Sequence, residues 1–187
     1  DFLIQKGGLI VFPRLIAAEY RSSGKTEAVL SGVPDLDKLL GGGPDQGTST
    51  LIVGPSGAGK STIAMQYAVT AAEQGDTSVI YTFDENLTIF LKRAETLNIP
   101  VARYIDTGHI EVMQIDPAEL SPGELSHKIR QNVEKRKIKI LIIDSLNGYL
   151  NAMPEERYLI IQLHEILSYL NQKGVATFLL FAQHGML

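Results

Sequence analysis

The chain has 187 residues, a length that one domain accounts for, and its 44% hydrophobic and 20% charged residues suit a globular protein with a sizeable core. A net charge of −4 offers no general attraction for a polyanion, so nucleic acid is not an expected partner. With no cysteine, the chain forms neither disulfides nor thiolate metal sites, and the cytoplasm is the default expectation.

No apolar run is long enough to cross a bilayer, so no membrane partner is expected. The chain starts at Asp1 without a Met or a signal-peptide pattern, which suggests a piece of a longer protein. Apolar runs at 2–5 and 9–12 flank Lys6-Gly7-Gly8 and predict a small hairpin or a bent strand. Residues 13–25 show no period and read as a linker. Ser31-Gly-Val-Pro-Asp-Leu-Asp-Lys-Leu-Leu40 combines a cap candidate, Ser31, with an early Pro and helical spacing. It predicts a short helix stopped by Gly41-Gly42-Gly43.

From there strands and helices alternate. Residues 50–53 predict a buried strand and 60–74 a helix ended by Gly75. A strand at 78–83 precedes a helix at 86–98, ended by Pro100, and a strand at 110–115 precedes a helix at 121–135. A strand at 138–143, a helix at 155–172 and a strand at 175–182 complete the series. Single helices between strands imply crossover units, hence an α/β fold with a parallel sheet and helices on both faces.

Gly54-Pro-Ser-Gly-Ala-Gly-Lys-Ser61 has the P-loop spacing between the strand at 50–53 and the helix that follows. Gly54, Gly57 and Gly59 let the backbone curl so that N–H groups of the loop, Ser56 and Ala58 included, point at phosphate oxygens. The helix N-terminus adds a positive dipole end. Lys60 carries an ammonium suited to the β- and γ-phosphates, and the Ser61 hydroxyl is a hard ligand for Mg²⁺. Thr62 is placed to bond the α-phosphate. The loop therefore predicts binding of ATP or another nucleoside triphosphate.

Further along, Phe83-Asp84-Glu85 puts two carboxylates at the C-terminal edge of a parallel sheet, where ligands bind. Either can orient or deprotonate a water for attack on the γ-phosphate; the alternative is that Asp84 or Asn86 caps the next helix. Lys139-Ile-Leu-Ile-Ile-Asp144-Ser145 reads as an apolar strand ending in Asp144, the Walker B pattern for a carboxylate that orders Mg²⁺. Gln183 ends the last strand and is a candidate γ-phosphate sensor, with His184 beside it as a weaker one. His127 and His164 fall on helices with no metal-ligand spacing. The short run Glu134-Lys-Arg-Lys137 reads as a solvated helix end.

Taken together, residues 31–43, 54–62, Phe83-Asp84-Glu85, Ile143-Asp144-Ser145-Leu146 and Gln183-His184-Gly185 resemble the RecA-like ATPases, and more closely the KaiC-like family of circadian clock ATPases. The resemblance covers about residues 25–187 and implies a sheet ordered 3-2-4-5-1, counting the phosphate-loop strand as 1, with the later strands of that fold missing. It implies that residues 1–24 are the remnant of a preceding domain and a linker, ahead of a C-terminally incomplete ATPase domain. It also implies Mg-ATP hydrolysis, a hexameric ring with ATP held between subunits, and signalling partners. The family usually has Glu-Glu where this chain has Asp84-Glu85, so the shorter Asp84 leaves the choice of base open. A Ser/Thr autokinase, a non-hydrolysing ATP-dependent assembly module and a recombinase-like filament are the competing readings. The last is opposed by the acidic balance.

Overall fold

A computed structural model of the protein describes residues 2–12, 27–116, 121–151 and 156–183. The linker expected at 13–25 and the candidate His184 lie outside the described residues. Strands β1 (Phe2–Gln5) and β2 (Gly8–Val11) pair antiparallel as the expected hairpin, with Phe2 opposite Val11. Just beyond it, Phe12 is buried, its ring 5.4 Å from that of His127.

The main sheet comprises β3 (Ser49–Gly54), β4 (Ser78–Thr82), β5 (Ile110–Gln114), β6 (Ile140–Asp144) and β7 (Ala176–Ala182). All its pairings are parallel, in the order β3-β7-β6-β4-β5. Numbered from the phosphate-loop strand and read from the far edge, this is 3-2-4-5-1. The Asp144 strand is thus separated from the phosphate-loop strand by β7.

The two-residue period of the strands divides the core in two. Ile80, Ile140, Ile142 and Phe178 face helices α2 (Lys60–Glu73), α3 (Leu87–Thr96) and α4 (Val101–Asp106). Val79, Tyr81, Leu141, Ile143 and Leu179 face α5 (Pro122–Arg136), α6 (Leu146–Leu150) and α7 (Glu156–Gln172). This is the α/β architecture with helices on both faces that the alternation of elements predicts.

Four local expectations are corrected. The strand at 50–53 is not buried: β3 is an edge, and Leu51 and Val53 are 53% and 50% exposed. Leu51 sits in register with Leu179 on the face packed by α5 to α7, but that cover does not extend to β3. Ser31 does not cap α1 (Pro34–Leu39), whose N-cap is Val33; the Ser31 hydroxyl accepts instead from the Val33 N–H at 3.0 Å. Helix α4 starts after Pro100, a residue read only as a stop although its fixed φ also suits a helix beginning. Helix α6 was not expected from the residues after Asp144.

The segment ahead of α1 serves a packing purpose. The Thr70 hydroxyl on α2 donates to the Ser31 carbonyl at 3.0 Å, and a Cβ on Gly32 would lie 2.3 Å from that hydroxyl oxygen. Gly32 also has φ +75, a conformation side chains rarely adopt. The Ser31-Gly32 turn can therefore lie directly on α2, which is buried over much of its length by small residues such as Ala64, Ala68, Ala71 and Ala72. It fixes the helix that carries the phosphate loop.

Candidate functional site

A cavity of about 580 Å³ opens at the C-terminal ends of the strands, where parallel sheets bind ligands. The phosphate loop contributes Ser56, Gly57, Gly59, Lys60, Ser61 and Thr62 to its lining. Thr82, Asp84, Glu85 and Asn86 come from the end of β4, Asp144 and Ser145 from β6, and Ala182 from β7. Helix α3 adds Ile89 and Arg93.

The loop is shaped by two glycines in the left-handed region, Gly57 at φ +81 and Gly59 at φ +86, the latter being the N-cap of α2. Gly54 and Ala58 form its base. A Cβ on Gly54 would lie 3.4 Å from the Ala58 side chain, and the Ala58 N–H donates to the Pro55 carbonyl at 3.2 Å. Lys60 Nζ lies inside the curl, donating to the carbonyls of Gly54 at 2.9 Å and Pro55 at 2.8 Å.

The carboxylates occupy different settings. Asp84 accepts a short hydrogen bond from the Ser145 hydroxyl, which links the ends of β4 and β6. Gly148 is needed beside it: a Cβ there would lie 2.4 Å from Phe83 Cβ and 2.8 Å from Asp84 Oδ1. Glu85 is paired with Arg93, Oε2 to Nη2 at 2.7 Å. Burial pushes the Glu85 carboxyl above its ordinary range, with Arg93 acting against the rise and Asp144 adding to it. The helix-cap role falls to Asn86, whose side chain accepts from the Ile89 N–H at 2.9 Å.

Asp144 is buried deeply enough that desolvation raises its pKa; hydrogen bonding to the Ser61 hydroxyl and the charges of Arg93 and Lys60 oppose this, while Asp84 adds to it. Ser61 and Asp144 thus sit together, as a metal shared between loop and strand end requires. Both are hard oxygen donors, and a buried carboxylate that resists ionisation is a group a cation would relieve. Among the described residues no group of three or more His, Asp or Glu could hold a metal alone, so phosphate oxygens or waters would have to complete such a site.

The shift at Asp144 has a consequence for stability. A carboxyl whose pKa is raised on folding opposes folding once the unfolded chain would ionise it. That cost is absent below about pH 4 and grows as the pH rises through the folded-state value. Asp144→Asn is therefore expected to raise the melting temperature of the nucleotide-free chain at pH 7, with the gain vanishing near pH 3. Thermal denaturation across that range checks it, and an unchanged or lowered midpoint at pH 7 would count against the burial penalty.

Gln183 is placed differently from the other candidates. Its backbone N–H donates to the Gly54 carbonyl at 3.1 Å, tying the end of β7 to the loop, but the residue that lines the cavity from β7 is its neighbour Ala182. Asn147 holds that strand end. Its side chain donates to the Ala182 carbonyl at 3.0 Å and accepts from the Ala182 N–H at 2.7 Å. Sequence reasoning did not single out Asn147 or Arg93, and Ser145 entered only within the stretch that carries the family resemblance. Of these, Arg93 left the clearest local signal, since it falls one helical turn after Ile89 on a helix that starts beside Glu85. Neither His127 nor His164 is part of the cavity wall.

The family model described as "ATPase: KaiC" matches residues 29–185. The chain is 23% identical over 152 residues to the circadian clock protein KaiC2 of Synechocystis sp., covering 81% of this chain and 27% of that protein. It is 25% identical over 158 residues to the circadian clock protein KaiC3 of the same organism, covering 80% and 31%. It is 26% identical over 160 residues to the UPF0273 protein MK0039 of Methanopyrus kandleri, covering 76% and 63%. The chain thus spans about a quarter to a third of the length of the clock proteins it matches. Among the described residues no helix is long and apolar enough to cross a membrane.

Proposed function

The chain belongs to the KaiC ATPase family, and from that membership we propose that it binds Mg-ATP in the strand-end cavity and hydrolyses its terminal phosphate. The observation that carries this reading is the confrontation of Lys60 and Ser61 with Asp84, Glu85 and Asp144 across one cavity. A phosphate chain laid along residues 56–61 would take backbone N–H donors from the loop and the positive end of the α2 dipole. Lys60, which donates to the Gly54 and Pro55 carbonyls, would exchange them for phosphate oxygens, a stronger charge-assisted bond. Ser61 and Asp144 are the residues that would hold Mg²⁺. A bound Mg²⁺ supplies neutralisation of phosphate charge.

Glu85 is the carboxylate assigned to the attacking water. It lines the cavity, and its raised pKa makes it a better proton acceptor than an ordinary surface Glu. Asp84, already accepting from Ser145, is assigned to fixing the turn that presents Glu85. Gln183 is assigned to coupling the end of β7 to the loop through its N–H, so that a shift at the phosphates reaches the strand. We read residues 25–187 as the ATPase domain and ATP-linked assembly of several copies as the wider setting. The exposed β3 edge fits an arrangement in which something further covers that strand.

Phosphate release and covalent phosphate incorporation, measured side by side with Mg-ATP, test the reading. Release without incorporation is expected. Stoichiometric labelling of the chain would favour the autokinase, and tight binding with neither product would favour an assembly module.

A further inference from the structure

The Glu85–Arg93 pair raises a question that the binding reading leaves open. Arg93 lies in the last turn of α3, and Glu85 immediately precedes that helix's N-cap. Side chains on a helix lean toward its N-terminus, so the guanidinium extends back along α3 to the cavity mouth. It sits 5.7 Å from the Phe90 ring centroid and reaches Glu85 at 2.7 Å. Among the described residues only Lys60 and Arg93 bring positive charge to the cavity wall, against the carboxylates of Asp84, Glu85 and Asp144. Lys60 is engaged by loop carbonyls and Arg93 by Glu85. The cation that would help hold a terminal phosphate and the carboxylate that would serve the water are therefore paired with each other. The pairing is imperfect: the 2.7 Å approach is an ion pair without hydrogen-bond alignment, and Arg93 Nε and Nη2 are both buried with no hydrogen-bond partner among the described residues.

We propose that Arg93 is a nucleotide-responsive restraint on Glu85, pairing with it when no terminal phosphate is present and transferring to the terminal phosphate of a bound nucleoside triphosphate. The chemistry favours the transfer. A guanidinium presents a planar fork of donors that a phosphoryl group meets with several oxygens of higher charge than a carboxylate. The present pair leaves Nε unsatisfied, and a buried unsatisfied donor is costly. On transfer Glu85 loses its cation and becomes a free carboxylate beside the terminal phosphate, so it is released for proton transfer only when there is a phosphate to attack. A diphosphate does not extend far enough to draw Arg93 away, and the pair re-forms after hydrolysis. Arg93 is thus a phosphate-contacting residue in one state and a positioning residue in the other.

This inference rests on the phosphate-cavity reading, and the test separates the two. Calorimetry on the 187-residue chain with Mg²⁺ would compare ADP with an ATP analogue whose terminal phosphate cannot be hydrolysed. Arg93→Ala is expected to weaken the triphosphate roughly tenfold and the diphosphate less than twofold. The loss should grow to roughly thirtyfold when Glu85 is already Gln, because the guanidinium then has no carboxylate to give up. If Arg93 merely neutralised Glu85, its removal would matter less in the Glu85→Gln background. That outcome, or equal losses for the two nucleotides, overturns the proposal while leaving the phosphate loop intact. Arg93→Lys keeps charge and bulk without the fork, and is expected to recover only part of the discrimination; it carries the same comparison if the Ala variant does not fold. An unmodified chain that binds neither nucleotide overturns the cavity reading and this proposal together.

Discussion

Lys60→Ala should abolish detectable ATP binding, a loss of about a hundredfold or more. Lys60 is the one charged side chain in the curl of the loop, and its Nζ already occupies the space between the Gly54 and Pro55 carbonyls. Those bonds hold the ammonium where the loop's N–H groups converge. A bond between charged partners contributes about 1.5–3 kcal/mol, and an ammonium among phosphate oxygens makes more than one. The substitution also leaves the Gly54 and Pro55 carbonyls without their lysine donor, so the loop itself should loosen. Isothermal calorimetry with Mg-ATP reads the loss, and a far-ultraviolet spectrum guards against simple unfolding. Affinity within a factor of two of the unmodified chain would remove Lys60 from the phosphate site and leave it as a brace for the loop. Charge alone should not suffice to restore binding, since Arg at this position is bulkier and planar, and the curl is sized for an ammonium.

The second large effect concerns turnover. Asp84→Asn combined with Glu85→Gln is expected to reduce ATP hydrolysis by about 10²–10⁴ while binding persists, because positioning and deprotonating a water requires a carboxylate and holding phosphate does not. The two single variants should differ. Glu85→Gln removes the carboxylate assigned to the attacking water and should account for most of the loss in kcat. Asp84→Asn keeps a group able to accept from the Ser145 hydroxyl, so it should retain more activity than its partner. Single-turnover measurements with radiolabelled ATP separate chemistry from product release. Normal turnover by the double variant would reduce both residues to structural parts of the turn between β4 and α3.

How much of this was legible beforehand follows from what each signal depends on. The phosphate loop is a local object. Its glycines, lysine and serine fall within eight consecutive residues that join a strand to a helix, so spacing alone makes the pattern legible. The alternation of strands and helices is nearly as local, since β-branched runs and helical spacing reflect the period of each element. Asp144 was found in the same way, as a polar stop to an apolar run.

Other features exist only through contacts distant in sequence, and no pattern in one stretch encodes them. The Asp84–Ser145 bond joins two strand ends 61 positions apart, and Asn147 grips Ala182 from 35 positions away. Asp84 and Glu85 are neighbours in the string and both line the cavity. The fold separates them by giving one to Ser145 and the other to Arg93. The exposure of β3 escaped for a related reason. Thr-Leu-Ile-Val reads as buried because apolar residues fill both faces, yet burial depends on what packs there, and the described residues cover only one. The sequence by itself determined the α/β framework and the place of the P-loop pattern within it. Only the tertiary structure decided which side chains share the cavity and which are occupied with one another, because strand order and helix packing set those distances.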